Sequence, residues 1–469
     1  MRSTHSRIYL TPIHLVSILL LFTPLSSCGH RLPVADDSTV SAFIEDRIEK
    51  VVQWEPADSL LSETSLLVPD TNLTIDSAVQ IGLFNNPSIQ ALFEEIGIAH
   101  ADVIEAGLLK NPLFSGLVRF SDQKHVFPDI ECSLLQSFID IISMPLRKKL
   151  AEADYQQIQL RVAHGILELA FDIQEAFIHF QAEQTNYQLL AEAVEAAKAS
   201  HLLAQEQFSA GTVNELEFLD RTNEYLEMNA KLSDVKNRLI HLREKIDKLL
   251  GLSDDVNWRI DSALDEILDE EFSMEDIEEI ALSQRLDLAI ARWEIERIAR
   301  MYGLKQWWTY TEASLGVSSA QDAEGVRNTG PALSFGIPFF NTGQGDRLRI
   351  EALFRQSIHR WESLKRNIVA EGRSVRERLL LQRKLVMDYK KTIVPHHKQV
   401  VLLSQAYVNA MALNVYKLLA GKQQELQALM GYNNALKDYW LAKVELDRYI
   451  GGHFNPAQID DQSGGCETR

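Results

Sequence analysis

Three cysteines in 469 residues are too few for a disulfide-stapled scaffold. Glycine and proline are also sparse, at 22 and 13, which removes collagen-like and low-complexity chains. Basic residues are in deficit: 47 Lys plus Arg stand against 66 Asp plus Glu, a net charge of −19. A surface of that sign repels phosphate, so nucleic acid is excluded as the partner. Mean hydropathy is −0.13, too low for a polytopic helical membrane protein, while 46% hydrophobic residues are too many for a disordered chain. Enzymatic signatures are missing as well. The chain has no phosphate-binding P-loop, no Gly-x-Ser-x-Gly elbow, no His-Glu-x-x-His and no Cys-x-x-Cys, so neither catalysis nor a cofactor is expected. His396 and His397 are adjacent, hence about 100° apart on a helix, a poor metal pair. With eight methionines there is no Met-rich copper ladder.

Residues 1–27 have the pattern of a targeting segment: Arg2 and Arg7, then a mostly apolar stretch from Ile8 to Phe22, then small residues. Leu25-Ser26-Ser27-Cys28 resembles a bacterial lipobox, which makes Cys28 the expected lipidation site and 28–72 a lipid-anchored N-terminal arm. Gly29 lacks the aspartate that retains lipoproteins in the inner membrane, so the anchor is expected in outer-membrane lipid. The competing reading is an ordinary cleaved signal peptide with an incidental cysteine. Cys132 and Cys466 lie far apart, and no structural disulfide is expected.

The length alone suggests two to four globular domains, but an internal repeat replaces that expectation. Leu73-Thr74-Ile75-Asp76 leading to Asn86-Pro87 aligns with Ser273-Met274-Glu275-Asp276 leading to Arg285 and Asp287, and Leu249-Leu250-Gly251 aligns with Tyr449-Ile450-Gly451. The units run over 73–252 and 272–452, joined by an acidic linker at 253–271 and followed by a flexible tail at 453–469. In unit one, Pro145 to Gly211 has one internal glycine and no internal proline, a helix of up to about 95 Å. After a turn, Tyr225, Met228, Leu232, Val235, Leu239, Leu242, Ile246 and Leu249 keep strict 3-4 spacing, a coiled-coil seam. Ala428, Tyr432, Ala435, Tyr439, Ala442, Leu446 and Tyr449 stand at the equivalent places in unit two.

Between the short and long helices each unit changes to period two. The runs are Leu113–Phe120 and Ile130–Ile139 in unit one, and Glu312–Ser318 and Ala332–Ile337 in unit two, with polar loops at Ser121–Asp129 and Ala320–Gly330. Leu113, Phe120, Leu315, Val317, Phe335 and Ile337 are the expected membrane-strand residues, flanked by Trp307, Trp308, Tyr310, Phe339 and Phe340. A soluble hairpin packed on the helices is the competing reading. A sheet in lipid cannot leave its edges open, and four strands are too few for a barrel. Four strands from each of three chains would give twelve, so a homotrimer is expected.

The duplicated order of helix, hairpin and helical pair resembles the outer-membrane efflux family typified by TolC. Local phrases carry the resemblance too: Asn86-Pro87, Gly107 to Asn111-Pro112, Leu333-Ser334 through Pro338-Phe339-Phe340-Asn341-Thr342-Gly343, and Phe208-Ser209-Ala210-Gly211-Thr212. The resemblance implies a mainly α fold with a small membrane β part. Long antiparallel coiled-coil helices would form an α-barrel, and the strands a shared twelve-stranded barrel. It implies an outer-membrane channel extending into the periplasm, passing substrates from an inner-membrane pump through a periplasmic adaptor and catalysing nothing. By position the adaptor would meet the tips, at Phe208, Ser209, Ala210, Gly211, Thr212, Tyr407, Asn409, Ala410 and Met411. The family's inward carboxylates after the second tip are replaced here by Tyr416 and Leu419, whereas the first-repeat counterparts are Glu217 and Asp220. Glu217, Asp220 and Tyr416 are therefore the pore-constriction candidates, with solvated flank charges as the alternative for the two acids. A lipid-anchored periplasmic coiled-coil protein, structural or adaptor-like, is the alternative for the whole chain.

Overall fold

The structure, a computed structural model, describes residues 38–52, 72–120, 122, 127–253, 256–261, 263–267, 277–308, 313–322, 324–336 and 339–453. The expectations at Cys28, the segment 1–27, Tyr310, Ile337, Cys466 and the tail beyond His453 lie outside the described residues, as do the side chains of Trp307 and Trp308.

The described chain is mainly helical, and the same elements occur twice. After α1 (Ser38–Ile48) and the two-residue β1 (Asn72–Leu73), the first series is α2 (Ile75–Asn85), α3 (Pro87–Ala106), β2 (Leu113–Arg119), β3 (Asp129–Ser137), α4 (Ile139–Ser209) and α5 (Glu215–Leu250). After β4 (Arg259–Ile260), the second is α6 (Ile277–Gln284), α7 (Leu286–Trp308), β5 (Ser314–Gln321), β6 (Arg327–Ser334), α8 (Gln344–Asp388), a π turn (Tyr389–Ile393), α9 (Val394–Asn409) and α10 (Val415–Ile450).

Local chemistry sets these boundaries in matching ways. Thr74 caps α2 through a reciprocal box with Ser77, and Asn86 caps α3, with Pro87 in its first turn. Asn214 and Asn414 cap α5 and α10 by accepting from the backbone N–H of Glu217 and Tyr416. Gly251 and Gly451 end those helices in the left-handed region, with φ of 67° and 86°. Beside each, a side chain ties the helix end to the α2–α3 or α6–α7 junction. Asn86 Nδ2 donates to the Leu249 carbonyl at 2.9 Å, and Arg285 Nη1 to the Tyr449 carbonyl at 3.3 Å. Burial alone would raise the Asp287 carboxyl, but the hydrogen bonds and charge of Arg285 hold it below the usual range.

α4 is 71 residues long, about 107 Å at 1.5 Å per residue. It starts at Ile139, before the expected Pro145, which lies inside the helix. The four long segments form a row in the order α5, α4, α10, α8/α9, with α4 and α10 in the middle. The expected seam of α5 is the face it turns to α4: Met228, Val235 and Ile246 are buried and Tyr225, Leu232, Leu239, Leu242 and Leu249 half-buried, while the opposite face is exposed. α10, flanked on both sides, buries far more of its surface. Between α4 and α10 an asparagine cluster interrupts the apolar packing. Asn433 Nδ2 donates to the Ala182 carbonyl (2.7 Å) and Asn186 Oδ1 (2.9 Å), and Asn186 Nδ2 to Asn434 Oδ1 (2.9 Å). Satisfied polar groups in such a seam favour one register over slipped alternatives.

The described part of segment 253–271 is packed, a feature its acidic composition concealed. β4 pairs in parallel with β1, and Trp258 is buried with its indole N–H donating to Asp247 at 2.6 Å.

Candidate functional site

The strands form one sheet, β2-β3-β5-β6, antiparallel throughout. The two hairpins join through β3 and β5, and β2 and β6 are left as open edges. Two expected strand residues are corrected: β2 ends at Arg119 and β6 at Ser334, so Phe120 and Phe335 stand just beyond the ladder. The second hairpin is also displaced from its expected position. Ala320 and Gln321 extend β5, and β6 begins at Arg327 in what looked like loop. Asp322 makes the tight turn possible, its Oδ1 accepting from the backbone N–H of Glu324 and Val326.

The pairing register sorts the side chains into two faces, because neighbours across a ladder point the same way. One face carries Phe114, Val118, Ile130, Leu134, Leu315, Val317, Pro331 and Leu333, with Cys132 among them and with Gln136, Ser319, Gln321, Arg327 and Thr329 toward its ends. The other carries Ser115, Ser133, Gly316, Ser318, Asn328, Gly330 and Ala332, with Leu113, Leu117 and Leu135. Leu113 thus shares the face of small and polar residues, opposite Leu315 and Val317. Among the described residues no helix is long and apolar enough to cross a membrane.

At the other end of the long helices, two turns of one design stand 200 residues apart. The N–H of Gly211 donates to the Phe208 carbonyl and that of Thr212 to Gln207; Met411 donates to Val408 and Ala412 to Tyr407. The residue at the bend has positive φ in both, 74° at Gly211 and 55° at Met411. Glycine takes that conformation freely, but a methionine is strained there. The Met411 side chain is 96% exposed. Tyr407, Asn409 and Ala410 are exposed beside it, as are Phe208, Ser209, Ala210 and Thr212 at the first turn.

The two tips differ in how they are stiffened. In the first, Phe208 stacks on Phe218 (centroids 5.3 Å), and His201 lies between Phe218 (5.8 Å) and Tyr225 (5.7 Å). The second has Val408, Leu418, Val401 and Glu425 at the corresponding places. Aromatics at matched heptad spacing on two facing helices were the sequence signal for this stack.

Tyr416 links the tips. It is 6% exposed, its hydroxyl donates to Gln207 Oε1 at 2.7 Å, and the Arg221 guanidinium lies 4.9 Å from its ring centroid. Burial, then the Glu217 carboxylate, pushes the phenol above its ordinary value. Arg221 also pairs with Glu224 at 3.1 Å. Glu217 is half-buried, and Asp220 is exposed. Neither Gln207 nor Arg221 stood out in the sequence; a single polar partner on another helix leaves no periodic trace. No cluster of potential metal ligands occurs among the described residues.

The chain matches no family model and no curated protein. It does resemble solved structures. VceC of Vibrio cholerae, an outer membrane protein, aligns at a TM-score of 0.63 and 13% identity over 81% of this chain and 97% of that one. The CmeC outer membrane channel of Campylobacter jejuni aligns at 0.65 and 15% identity, over 88% and 96%. The MtrE outer membrane channel of Neisseria gonorrhoeae aligns at 0.60 and 14% identity, over 81% and 89%. The chain has the outer-membrane channel fold, TolC-like and mainly α.

Proposed function

We propose that three copies of this chain form an outer-membrane channel that conducts substrates delivered by an inner-membrane pump and a periplasmic adaptor. The observation that carries this reading is the four-stranded sheet with two open edges and a run of apolar side chains on one face, continuous in sequence with long helices packed side by side. An exposed edge in lipid is costly because its N–H and C=O groups find no water. Joining β6 of one copy to β2 of the next removes every edge, and twelve strands then close a barrel. The apolar face through Phe114, Leu134 and Val317 would meet lipid. The face through Ser115, Ser133 and Ser318 would line the lumen.

In this reading acyl chains on Cys28 tether the chain to the outer membrane. The adaptor engages the turns at Phe208–Thr212 and at Tyr407, Asn409, Ala410 and Met411. Glu217 and Asp220 from three copies supply carboxylates near the narrow end, where they favour cations, and Tyr416 holds the two tips together. The chain is a conduit and performs no covalent chemistry. Outer-membrane fractions should contain a heat-modifiable trimer that forms intermolecular disulfides when cysteines are placed in pairs along β2 and β6, in a background with Cys132→Ser and Cys466→Ser. A soluble periplasmic monomer after Cys28→Ser, with no membrane retention, would refute the reading, since a barrel stays inserted without its lipid.

A further inference from the structure

Where the strands meet the helices, charge and apolar surface combine in a way that channel formation does not require. The strand ends Leu113, Ser137, Ser314 and Ser334 lie at one end of the sheet. The adjoining segments 108–112, 138–149, 299–308 and 339–350 hold eight basic residues and two acidic ones, Asp140 and Asp346, in a chain whose net charge is −19. The opposite end has the reverse balance: the described residues among 119–131 and 321–327 include two Arg against five Asp or Glu. Lys110, Lys148, Lys149, Arg347 and Arg349 are exposed. Their ion pairs are long where they occur: 3.6 Å for Lys110 to Asp140, 4.0 Å for Lys148 to Glu152 and 3.8 Å for Arg349 to Asp346. Large apolar side chains stand between them: Leu108, Ile141 and Leu348 are about half exposed or more, and Phe339 and Phe340 are 79% and 90% exposed.

We propose that this collar binds anionic phospholipids, the basic side chains meeting their phosphodiesters and the apolar ones entering the acyl boundary. Basic residues interleaved with aromatic and aliphatic ones mark a surface that lies in a membrane interface, and the match of sign selects acidic headgroups. Depth agrees with that placement. Arg347 stands about 5 Å along α8 and Lys148 and Lys149 about 15 Å along α4, and Lys110 precedes the first residue of β2 by three positions. Their charge acts across a further 8 Å or so at physiological salt. The inference rests on the reading that the sheet crosses the outer membrane; it adds which lipid the chain selects and where.

The test uses the full-length protein reconstituted in vesicles of phosphatidylcholine with 30% phosphatidylglycerol. The lipid retained by the protein is compared with the bulk. Wild type should retain phosphatidylglycerol several-fold over its bulk ratio, and 0.5 M NaCl should reduce that enrichment. Removal of a surface charge weakens such binding about fivefold, so the variant Lys148→Gln/Lys149→Gln/Arg347→Gln should lose the enrichment. Arg119→Gln/Arg327→Gln, at the other end of the sheet, should keep it. No enrichment in wild type, or equal enrichment in the collar variant, overturns the proposal. The salt response of wild type keeps it falsifiable if the collar variant fails to assemble. Conductance of wild type in pure phosphatidylcholine tests the channel reading separately: a conducting protein without enrichment refutes the collar alone, and enrichment without conductance refutes the channel alone.

Discussion

Replacing Tyr416 with phenylalanine should loosen the contact between the two tips and raise the open probability of the channel. The substitution removes one hydroxyl from a side chain that is 6% exposed, and with it the 2.7 Å hydrogen bond to Gln207 Oε1. The ring and its contact with Arg221 remain, so the effect isolates the hydrogen bond. A buried bond of this kind contributes about 1 to 1.5 kcal/mol, including the cost of leaving the amide oxygen without a donor. That shifts the balance between joined and parted tips by roughly tenfold per copy, and by 100-fold or more if three copies part together. Single-channel recording in planar bilayers reads the change directly, and Gln207→Leu should reproduce it. Unchanged open probability in both variants would refute the role given to Tyr416. So would a matching loss of thermal stability with no change in gating, because the bond would then serve the fold alone.

Other positions give independent checks. Met411→Gly should stabilise the second turn by about 1 kcal/mol by relieving a positive φ, and Gly211→Met should destabilise the first by a similar amount; amide exchange at the tips measures both, and no difference would contradict the strain. Asn433→Ala should lower stability by about 1 to 3 kcal/mol in denaturant melts, since it leaves Asn186 Oδ1 without its side-chain donor and removes the second donor to the Ala182 carbonyl. Val317→Asp should block membrane insertion while Ser318→Asp, on the opposite face, should not; equal effects would refute the assignment of faces. Burial, then Glu278, pushes the Tyr449 phenol up to about 12. A raised phenol favours the folded state fully below its ordinary value of 10 and loses that contribution as pH climbs toward 12, so an ultraviolet titration should show late tyrosine ionisation, together with alkaline unfolding, that Tyr449→Phe diminishes.

The helices were legible because their packing is periodic. The seam from Tyr225 to Leu249 repeats every 3.5 residues, and the structure buries that face of α5 against α4. The caps at Asn214, Gly251 and Gly451 likewise follow from local chemistry. The strands were less legible. β6 begins with Arg327, Asn328 and Thr329, which look like loop until the ladder pairs them with Gln321, Ala320 and Ser319. Register across a sheet is long-range information, and so is the face on which Leu113 falls. Contacts that join distant helices left no trace either: Tyr416 was conspicuous by position, but its partner Gln207 lies 209 residues away. The difference between the tips could have been read, since Phe208, Phe218 and Tyr225 have no aromatic counterparts 200 residues later.

The most direct test of the central claim is electrical. Purified full-length protein, shown by native mass measurement to contain three copies, should insert into planar bilayers and conduct ions in discrete, equal steps. Discrete steps from a trimer would support a barrel closed by copies of this sheet. A chain that stays monomeric, or a trimer that never conducts, would contradict it.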